Sequence, residues 1–495
     1  MVTVPQSGNT PVTRVAGMQD VSASRLAARD AVTARMLAAA ARAGFARVDL
    51  PVIEATELFL RTAGEERVQQ MFAFRARNRE LCLRPEFTAS VVRATVADGS
   101  PLPARVAYAG PVFRHEQPGA NPGVVATTAR QFTEFGVELM GARGAVADAE
   151  VIGTAFASLQ AAGVARSTLV LGHVGVARAY LVARRLDERV RDWLVWSMER
   201  MRPDDPRGER MHPALAALLA EDARLPEATL ANPPDRDTFL ALLREAGISL
   251  DGNRRAPEEI AEGLMRKMAR RGEHPDVRRA LAFLRRLVTL RGAPDAVLPQ
   301  LDALIAAEGL RDDETTRLRE ILALLPAYGI PTDAVTLDLS LGRGLTYYTG
   351  IVFEWVAPDG THIGGGGRYD DLATRIGAVE PVPAVGFSLQ VERVIGVLPE
   401  RPAVPSAEIV LVRVGSGTPH AAARLVTRLR MLGWVAVLDV AGDMTDRRAI
   451  ATAAPSADGA VIHWQPFVGA VREIAFDDDV AWPLPSHERL SGGSQ

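Results

Sequence analysis

The sequence predicts an α+β fold: an antiparallel sheet flanked by helices, interrupted by an all-helical insertion and followed by a small C-terminal α/β domain. Strand-like segments occupy residues 45–140 and return at 334–364. Between about 180 and 328 the apolar residues recur with the 3.6-residue period of a helix. A proline-rich linker at 399–406 then separates a β-α-β pattern from the rest of the chain.

The N-terminal region predicts one long helix and an edge strand. Residues 24–43 are alanine-rich and amphipathic, and Gly44 is placed to end the helix. Residues 45–54 indicate a strand that contains Pro51, and because proline lacks a ladder donor we expect this strand at an edge or kinked. The next segments predict a hairpin at 69–76 and 79–84, a helix at 86–96, paired strands at 105–114 and 130–141, and a helix at 146–162.

The central and C-terminal regions complete the predicted organisation. Helical patterns in the insertion cover 181–201, 212–219, 236–246, 257–271, 276–290, 297–307 and 313–325. Beyond it we expect strands at 334–340, 346–356 and 362–364, helices at 369–376 and 389–398, and a tail of strand 408–414, helix 420–432, strand 435–440, a short helix, and strands 460–464 and 471–476. The predicted domains are therefore 14–178 (first part of the core), 179–330 (insertion), 331–400 (second part of the core) and 407–485 (C-terminal domain).

Composition excludes several classes of protein. The 495 residues are 47% hydrophobic and 24% charged, which is typical of a soluble globular protein. The single cysteine, Cys82, excludes an internal disulfide and a multi-cysteine metal site, and its apolar neighbours predict a core position. There is no apolar run of membrane-spanning length and no signal-peptide core, so we expect a cytoplasmic protein without membrane contact. The net charge of −3 gives no indication of a large basic surface for RNA.

The first candidate site segment is residues 83–89 (LRPEFTA), at a predicted strand-to-helix junction. Glu86 and Thr88 could face one cavity, where a carboxylate suits an ammonium group. The alternative, which this segment alone favours, is that Glu86 caps the helix at the positive end of its dipole.

The second candidate consists of residues 110–116 (GPVFRHE) and 130–138 (RQFTEFGVE). Arg114 lies in an apolar strand, where a charge is costly unless it is paired, and arginine suits bidentate contacts with carboxylate or phosphate. Glu134 and Glu138 alternate to the same face of the returning strand. The spacing alone fits a polar binding site and a structural ion-pair cluster equally well.

The remaining candidates are residues 341–354 (LGRGLTYYTGIVFE), 364–371 (GGGGRYDD) and 384–393 (AVGFSLQVER). Glycines on both sides of Arg343 free the backbone for close approach to a ligand, and Tyr347 and Tyr348 follow. A plain hairpin would also tolerate this pattern. The glycine run is weak by itself, because turns and linkers use glycine too.

In order and spacing, these segments together resemble the histidyl-tRNA synthetases, a family of class II aminoacyl-tRNA synthetases. The first helix with Gly44 and Pro51 resembles motif 1, the dimer-forming element. Residues 113–116 resemble motif 2, residues 343–348 the histidine-specific signature, and residues 386–393 motif 3. The resemblance covers about 14–175 and 330–398, and it implies that the predicted sheet is of the class II synthetase type.

The resemblance implies a pocket for free histidine. Carboxylates would take its ammonium and ring N–H groups, hydroxyls would complete the pocket, and Arg114 and Arg343 would hold its carboxylate. The implied histidine-binding residues are Glu86, Thr88, Arg114, Glu134, Glu138, Arg343, Tyr347, Tyr348 and Tyr369. An active synthetase would use Arg114 and Arg343 as catalytic residues and would bind ATP, with Mg, through Arg114, Glu116 and Arg393. Outside that case the resemblance implies no cofactor, and in neither case do we expect a metal-ligand cluster.

Several residues depart from the family pattern. Gln390 stands where the family has a glycine against which ATP packs, Glu134 replaces a glutamine, and Thr346 replaces an aspartate of the signature. The loop 117–129 lacks the usual basic residues. In the C-terminal domain, which resembles a degenerate anticodon-binding domain, Arg447 and Arg448 form the only basic pair of the expected second helix, so contacts with an anticodon would be weakened.

The resemblance leads to two functional hypotheses. The first is the regulatory subunit of ATP phosphoribosyltransferase, a paralogue that keeps a histidine site without aminoacylation and controls the catalytic subunit that begins histidine biosynthesis. The second is a divergent histidyl-tRNA synthetase. A third class is an RNA-binding or scaffold protein on the inactive fold. The expected partners are L-histidine, the catalytic subunit and a second copy of the chain, with tRNA as a partner only under the second hypothesis.

Overall fold

The structure is a computed structural model with two compact units, Met1–Pro402 and Ala403–Gln495. The residues that it describes are 13–62, 70–115, 129–186, 188–202, 274–342, 347–399, 409–413, 419–431, 433–439, 449–455, 461–466 and 472–475.

Two sheets organise the described part of the first unit. Its strands are β1 (Ala46–Arg47), β2 (Ile53–Ala55), β3 (Phe72–Ala76), β4 (Arg79–Leu83), β5 (Ala104–Phe113), β6 (Gln131–Met140), β7 (Thr168–His173), β8 (Arg291–Gly292), β9 (Val335–Asp338), β10 (Ile351–Val356), β11 (His362–Arg368) and β12 (Ala384–Gln390). The large sheet has the order β1-β5-β6-β12-β11-β10-β7-β9-β8, and β2-β4-β3 form a small antiparallel sheet. The pairs β1–β5 and β7–β9 are parallel, whereas the other pairs of the large sheet are antiparallel. The predicted α+β class is confirmed.

Helices pack on both sheets and on one another. They are α1 (Ala23–Arg42), α2 (Thr56–Thr62), α3 (Thr88–Ala97), α4 (Ala145–Ala162), α5 (Val174–Ala183), α6 (Glu188–Ser197), α7 (His274–Leu287), α8 (Pro294–Ala307), α9 (Asp313–Leu324), α10 (Leu372–Arg375) and α11 (Val391–Gly396). Helices α1 and α4 pack on each other and on β6. Met36, Ile152 and Leu139 belong to the resulting core, where a fully buried side chain of this size contributes about 1.5–3 kcal/mol.

The first helix follows its predicted start and end. The side chain of Ser22 accepts a hydrogen bond from the backbone N–H of Arg25, and Gly44 follows the helix with a φ of +82°. The predicted hairpin is also present, and Arg77 and Asn78 both have positive φ at its turn, as a two-residue hairpin loop of matching twist requires.

The predicted strand 45–54 is wrong as a single element. Its two ends are β1, which pairs with β5, and β2, which pairs with β4 in the small sheet. Pro51 lies between them, and the carbonyl oxygens of Leu50 and Pro51 accept hydrogen bonds from the buried Arg84 guanidinium. The chain therefore leaves one sheet and enters the other at the proline.

The described part of the predicted insertion is helical, apart from the two-residue strand β8, which joins the edge of the large sheet. The helix predicted over 181–201 is divided into the end of α5, then α6, then the 3₁₀ turn Met198–Met201. Arg185 has a φ of +55°, which no helix accommodates, and it marks the first break. The helices predicted at 212–219, 236–246 and 257–271 lie outside the described residues.

The second unit contains a five-stranded sheet. Its elements are β13 (Ile409–Arg413), α12 (Pro419–Met431), β14 (Val435–Asp439), β15 (Ala449–Pro455), β16 (Val461–Pro466) and β17 (Arg472–Ala475). The strand β15 corrects the short helix predicted between 440 and 460, because its residues pair with β13 and β16 on both sides. Arg447 and Arg448 lie outside the described residues. Across the described parts of both units, the helices are too short or too polar to cross a membrane.

Candidate ligand site

A cavity of about 100 Å³ opens where β6, β12 and β11 lie side by side. Its lining combines carboxylates, hydroxyls, two arginines and glycine backbone. The lining residues are Glu86, Thr88, Arg114, Phe132, Glu134, Tyr347, Tyr348, Ile363, Gly364, Gly365, Gly366, Tyr369, Gly386, Phe387, Ser388, Gln390 and Arg393. Both halves of the predicted core therefore contribute to one small polar cavity.

Glu138 lies fully buried on β6, behind the cavity wall. Its carboxyl group accepts hydrogen bonds from Thr88 Oγ1 at 2.7 Å, from Tyr108 OH at 3.1 Å and from Tyr369 OH. Burial raises the pKa of Glu138 to about 8, and the hydrogen bonds from Tyr369 and Thr88 oppose that rise. Glu138 thus fixes two hydroxyl-bearing residues of the lining.

The raised pKa of Glu138 predicts a specific pH dependence of stability. The folded state favours the protonated carboxyl, so this contribution is complete below pH 4.5 and is lost as the pH rises toward 8. Over that interval the free energy of unfolding of the wild-type protein should fall by about 4 kcal/mol relative to Glu138→Gln. Urea unfolding of both proteins at several pH values measures the difference.

Glu80→Gln is the matched control for this experiment, because the Glu80 side chain is 67% exposed. Its unfolding curve should run parallel to that of the wild-type protein at every pH. A constant difference between wild type and Glu138→Gln over the whole pH range would show that Glu138 titrates as an ordinary carboxyl.

Arg114 and Glu134 form an ion pair at the cavity wall. Arg114 Nη2 donates to Glu134 Oε1, and Arg114 Nε donates to the carbonyl oxygen of Pro85 at 2.6 Å. The guanidinium also lies 4.9 Å from the ring centroid of Phe132. Glu134 is 3% exposed, yet its Oε2 atom has no hydrogen-bond partner among the described residues. A buried carboxylate oxygen of this kind favours a ligand that brings an N–H donor.

Glu86 has both roles that the sequence left open. Its Oε1 atom accepts the backbone N–H of Ala89 at 3.0 Å, in the first turn of α3, and the side chain also lines the cavity. The helix-capping alternative and the ligand-facing alternative are therefore compatible.

Three tyrosines, Tyr347, Tyr348 and Tyr369, line the cavity together. The rings of Tyr347 and Tyr348 meet edge to face at 4.9 Å, and those of Tyr347 and Tyr369 at 5.8 Å. Each is nearly buried, and each lines the cavity. They offer hydroxyl groups on a rigid aromatic surface.

A buried ion pair supports Tyr369 from behind. Arg368, the last residue of β11, is 1% exposed and donates through Nε to Asp148 Oδ1 at 2.7 Å. Its Nη1 donates to the carbonyl oxygen of Ala142 at 3.1 Å and to Asp370 Oδ1 at 3.0 Å. The pair links β11 to α4 and so fixes the backbone on both sides of Tyr369.

Glycine backbone forms the floor of the cavity. A Cβ atom on Gly366 would lie 1.9 Å from the carbonyl oxygen of Gly386, and one on Gly386 would lie 1.5 Å from Glu138 Oε2. Since real Cβ contacts are never this short, β11, β12 and the Glu138 side chain can approach only because these residues lack side chains.

Gln390, Glu392 and Arg393 lie at the end of β12 and the start of α11, in the segment that resembles motif 3. Gln390 is 8% exposed, pairs with Glu134 across the strands and lines the cavity. Glu392 Oε2 accepts the backbone N–H of Thr133 at 2.9 Å, which joins α11 to β6. Arg393 Nη1 donates to the carbonyl oxygen of His362 at 3.1 Å.

The structure places seven of the nine predicted histidine-binding residues in the cavity lining: Glu86, Thr88, Arg114, Glu134, Tyr347, Tyr348 and Tyr369. Glu138 lies behind the wall, and Arg343 lies outside the described residues, as does Glu116 of the predicted ATP set. No group of three or more His, Cys, Asp or Glu residues suited to a metal ion occurs in the described part of the chain.

Sequence reasoning missed Tyr108, Phe132 and Ser388. Tyr108 lies opposite Gly136 on the neighbouring strand, and its hydroxyl group reaches Glu138 over that glycine. A tyrosine opposite a glycine is visible only once the register of β5 and β6 is known. No feature of the sequence distinguishes Phe132 or Ser388 as residues of the site.

The fold and the cavity define a class II aminoacyl-tRNA synthetase type of protein. The family model "Histidyl-tRNA synthetase" matches residues 17–201 and 237–394. The chain belongs to the histidyl-tRNA synthetase family.

Relatives of two kinds are similar to the chain. A histidine–tRNA ligase of Pyrococcus furiosus is 30% identical over 441 residues, which are 87% of this chain and 86% of the ligase. An ATP phosphoribosyltransferase regulatory subunit of Agrobacterium fabrum is 34% identical over 362 residues, which are 70% of this chain and 92% of that subunit.

A solved structure shares the fold. A protein of Bacillus halodurans, described as an ATP phosphoribosyltransferase regulatory subunit/histidyl-tRNA synthetase, superposes with a TM-score of 0.60 at 22% identity, over 89% of this chain and 96% of that one. These comparisons place the chain in a family with two known functions.

Proposed function

We propose that this protein is the histidine-binding regulatory subunit of ATP phosphoribosyltransferase. The observation that carries the proposal is the occupation of the nucleotide end of the cavity by protein side chains. Gln390 lines that end, and Glu134 places a buried carboxylate beside the Arg114 guanidinium, which disfavours a polyanion but suits an amino acid that carries both an ammonium and a carboxylate group. A cavity of about 100 Å³ with this lining suits a free amino acid better than a nucleoside triphosphate.

The charge of the lining supports histidine as the ligand. Glu86 and Glu134 present carboxylates for the ammonium and imidazole N–H groups, and the tyrosine hydroxyls accept or donate the remaining hydrogen bonds. Arg114, together with Arg343, would hold the histidine carboxylate. Glu138 acts indirectly, through Thr88 and Tyr369.

The relatives that are regulatory subunits support a catalytic subunit as the partner of this chain. Two of them, from Agrobacterium fabrum and Brucella anthropi, are each 34% identical to the chain, and over 90% of the length of each is matched. The proposed partner is accordingly the catalytic subunit of ATP phosphoribosyltransferase. Histidine would inhibit it by binding one of two states of the assembly more tightly, which is the thermodynamic requirement for such control.

The proposal includes a cytoplasmic homodimer. Ile53 and Phe74 lie on the small sheet, Val52 immediately precedes it and Leu60 lies on α2, and each is at least 36% exposed. Several exposed large apolar side chains in one region favour a protein–protein contact.

One observation favours histidyl-tRNA synthetase as a second candidate. The Pyrococcus ligase aligns with 87% of the chain, against 70% for the Agrobacterium regulatory subunit. Under this alternative Arg114, Glu116 and Arg393 would bind ATP with Mg, Arg114 and Arg343 would stabilise the reacting α-phosphate, and tRNA would be the second substrate.

Calorimetry with L-histidine tests the proposed site. The wild-type protein should take up one histidine per chain, and Glu86→Gln should weaken the affinity at least tenfold, because it removes a charge that faces the ligand ammonium (about 1.4 kcal/mol). Glu57→Gln, on the exposed face of α2, is the matched control and should bind like the wild type.

Histidine-dependent ATP–pyrophosphate exchange separates the two candidates. The regulatory subunit should show none above background, because Gln390 and Glu134 disfavour the nucleotide. Robust exchange would establish the synthetase instead, and absence of histidine uptake would refute both functions for this cavity.

A further inference from the structure

Two acidic side chains, Asp192 and Glu199, are linked to the backbone near Tyr347 and Tyr348, Glu199 directly and Asp192 through an arginine. Asp192 lies on α6, and Glu199 lies in the 3₁₀ turn Met198–Met201 that follows it. Both come from the region predicted as the insertion, outside the motifs that the family resemblance identified.

Glu199 holds the backbone before the tyrosines. Its Oε1 atom accepts the backbone N–H of Gly342 at 2.8 Å. Three residues later, Arg202 Nη1 donates to Asp338 Oδ2 at 3.1 Å, and Asp338 is 3% exposed at the end of β9. The turn is therefore attached to β9 and to the residue that precedes the histidine signature.

Asp192 holds the backbone at the tyrosines themselves, through an arginine. Arg178 on α5 donates through Nε to the carbonyl oxygen of Tyr348 at 2.8 Å and through Nη2 to Asp192 Oδ1 at 3.1 Å. Asp192 Oδ2 also accepts Arg375 Nη2 of α10 at 3.4 Å. One carboxylate thus orients the guanidinium that positions Tyr348 and connects it to a second helix.

We infer that Asp192 and Glu199 are positioning residues for the ligand cavity: they fix the backbone just before the histidine signature and at its last residue, so that Tyr347 and Tyr348 face the ligand. The consequence for ligand affinity rests on the proposed function, whereas the attachment itself does not. A displacement of the start of the insertion would therefore also displace the backbone that carries Tyr347 and Tyr348.

Amide hydrogen exchange of the unliganded protein tests the attachment. Glu199→Ala should raise the exchange rate of the Gly342 N–H about tenfold. Asp192→Ala should likewise raise the exchange rate of the Thr349 N–H about tenfold. Thr349 follows Tyr348 in the chain, and its N–H donates to the carbonyl oxygen of Arg368. Unchanged exchange at both amides would overturn the inference.

Glu308→Ala is the matched control. Glu308 pairs with Arg184, at the end of α5, at 3.1 Å, and its side chain is 22% exposed, as is that of Asp192. Its ion-pair partners in the described part of the chain, Arg184 and Arg286, lie outside the tyrosine segment, so both amides should exchange as in the wild type. Equal acceleration by Glu308→Ala would reduce the effect to general destabilisation and overturn the inference.

Histidine affinity measures the consequence. Asp192→Ala and Glu199→Ala should each raise the Kd about tenfold with melting temperatures near that of the control. In a Tyr348→Phe background, Asp192→Ala should raise the Kd less than twofold, because both changes act through one residue. The same tenfold factor in both backgrounds would contradict the positioning role. If the wild type takes up no histidine, the proposed function fails, while the exchange rates still decide whether the attachment exists.

Discussion

Replacing Asp148 by alanine is expected to lower the free energy of unfolding by about 3–5 kcal/mol, because it leaves the buried Arg368 guanidinium without its main counter-charge. Arg368 is 1% exposed, and of its acidic partners only Asp370 would remain. Because Arg368 also fixes the backbone next to Tyr369, the same variant should lose histidine uptake. Urea unfolding and calorimetry measure the two effects.

Glu150→Ala is the control for this variant. Glu150 lies on the same helix, α4, and pairs with Arg105 through two hydrogen bonds of 2.8 Å, but both members of that pair are partly exposed. A pair that water can reach is worth about 1 kcal/mol or less, so this variant should lose far less stability than Asp148→Ala.

The double variant Asp148→Leu/Arg368→Met separates charge from packing. It removes both buried charges and should recover most of the stability lost by Asp148→Ala. If Asp148→Ala and Glu150→Ala cost the same free energy, then the Arg368 pair is not held in a dry environment.

Replacing Gly366 by alanine should have an effect of similar size. The new Cβ would lie 1.9 Å from the carbonyl oxygen of Gly386 and 2.6 Å from the Cα of Phe387, and backbone atoms cannot rotate away as a side chain can. The strands β11 and β12 must separate, which costs about 3 kcal/mol and removes the floor of the cavity. We expect a lower urea midpoint and no measurable histidine uptake.

Gly396→Ala is the control for the glycine substitution. Gly396 ends α11, and a Cβ atom there would meet nothing within 4 Å. Alanine at this position should leave the free energy of unfolding unchanged or raise it by up to about 1 kcal/mol, since glycine in a helix is the less favourable residue. A wild-type midpoint for Gly366→Ala would show that β11 and β12 are farther apart than the structure has them.

Local patterns were sufficient to predict most of the elements. The alternation that placed Glu134 and Glu138 on one strand follows from the two-residue period of β-structure, and both lie on β6. The glycine run 364–367 was weak evidence by itself, and the structure shows that it allows neighbouring strands to approach closely at the cavity floor.

Other features depend on contacts between distant parts of the chain, which local patterns do not encode. The division of 45–54 into two strands depends on Arg84, which binds the carbonyl oxygens beside Pro51. Residues 449–455 are rich in alanine, which is depleted in strands, and only the pairing with β13 and β16 on both sides identifies them as a strand. Asp192 and Tyr348, which Arg178 links, are more than 150 residues apart in the sequence, and no motif predicts the link.

The hydrogen bond between Tyr369 and Glu138 joins residues that are 231 positions apart. At the usual speed of translation, about 5–20 residues per second, Glu138 leaves the ribosome on the order of 10–50 s before Tyr369 does. Throughout that interval β6 also lacks its neighbour β12 and presents an unpaired strand edge. A nascent chain stalled within this window is therefore expected to be prone to aggregation, and its ligand cavity is still incomplete.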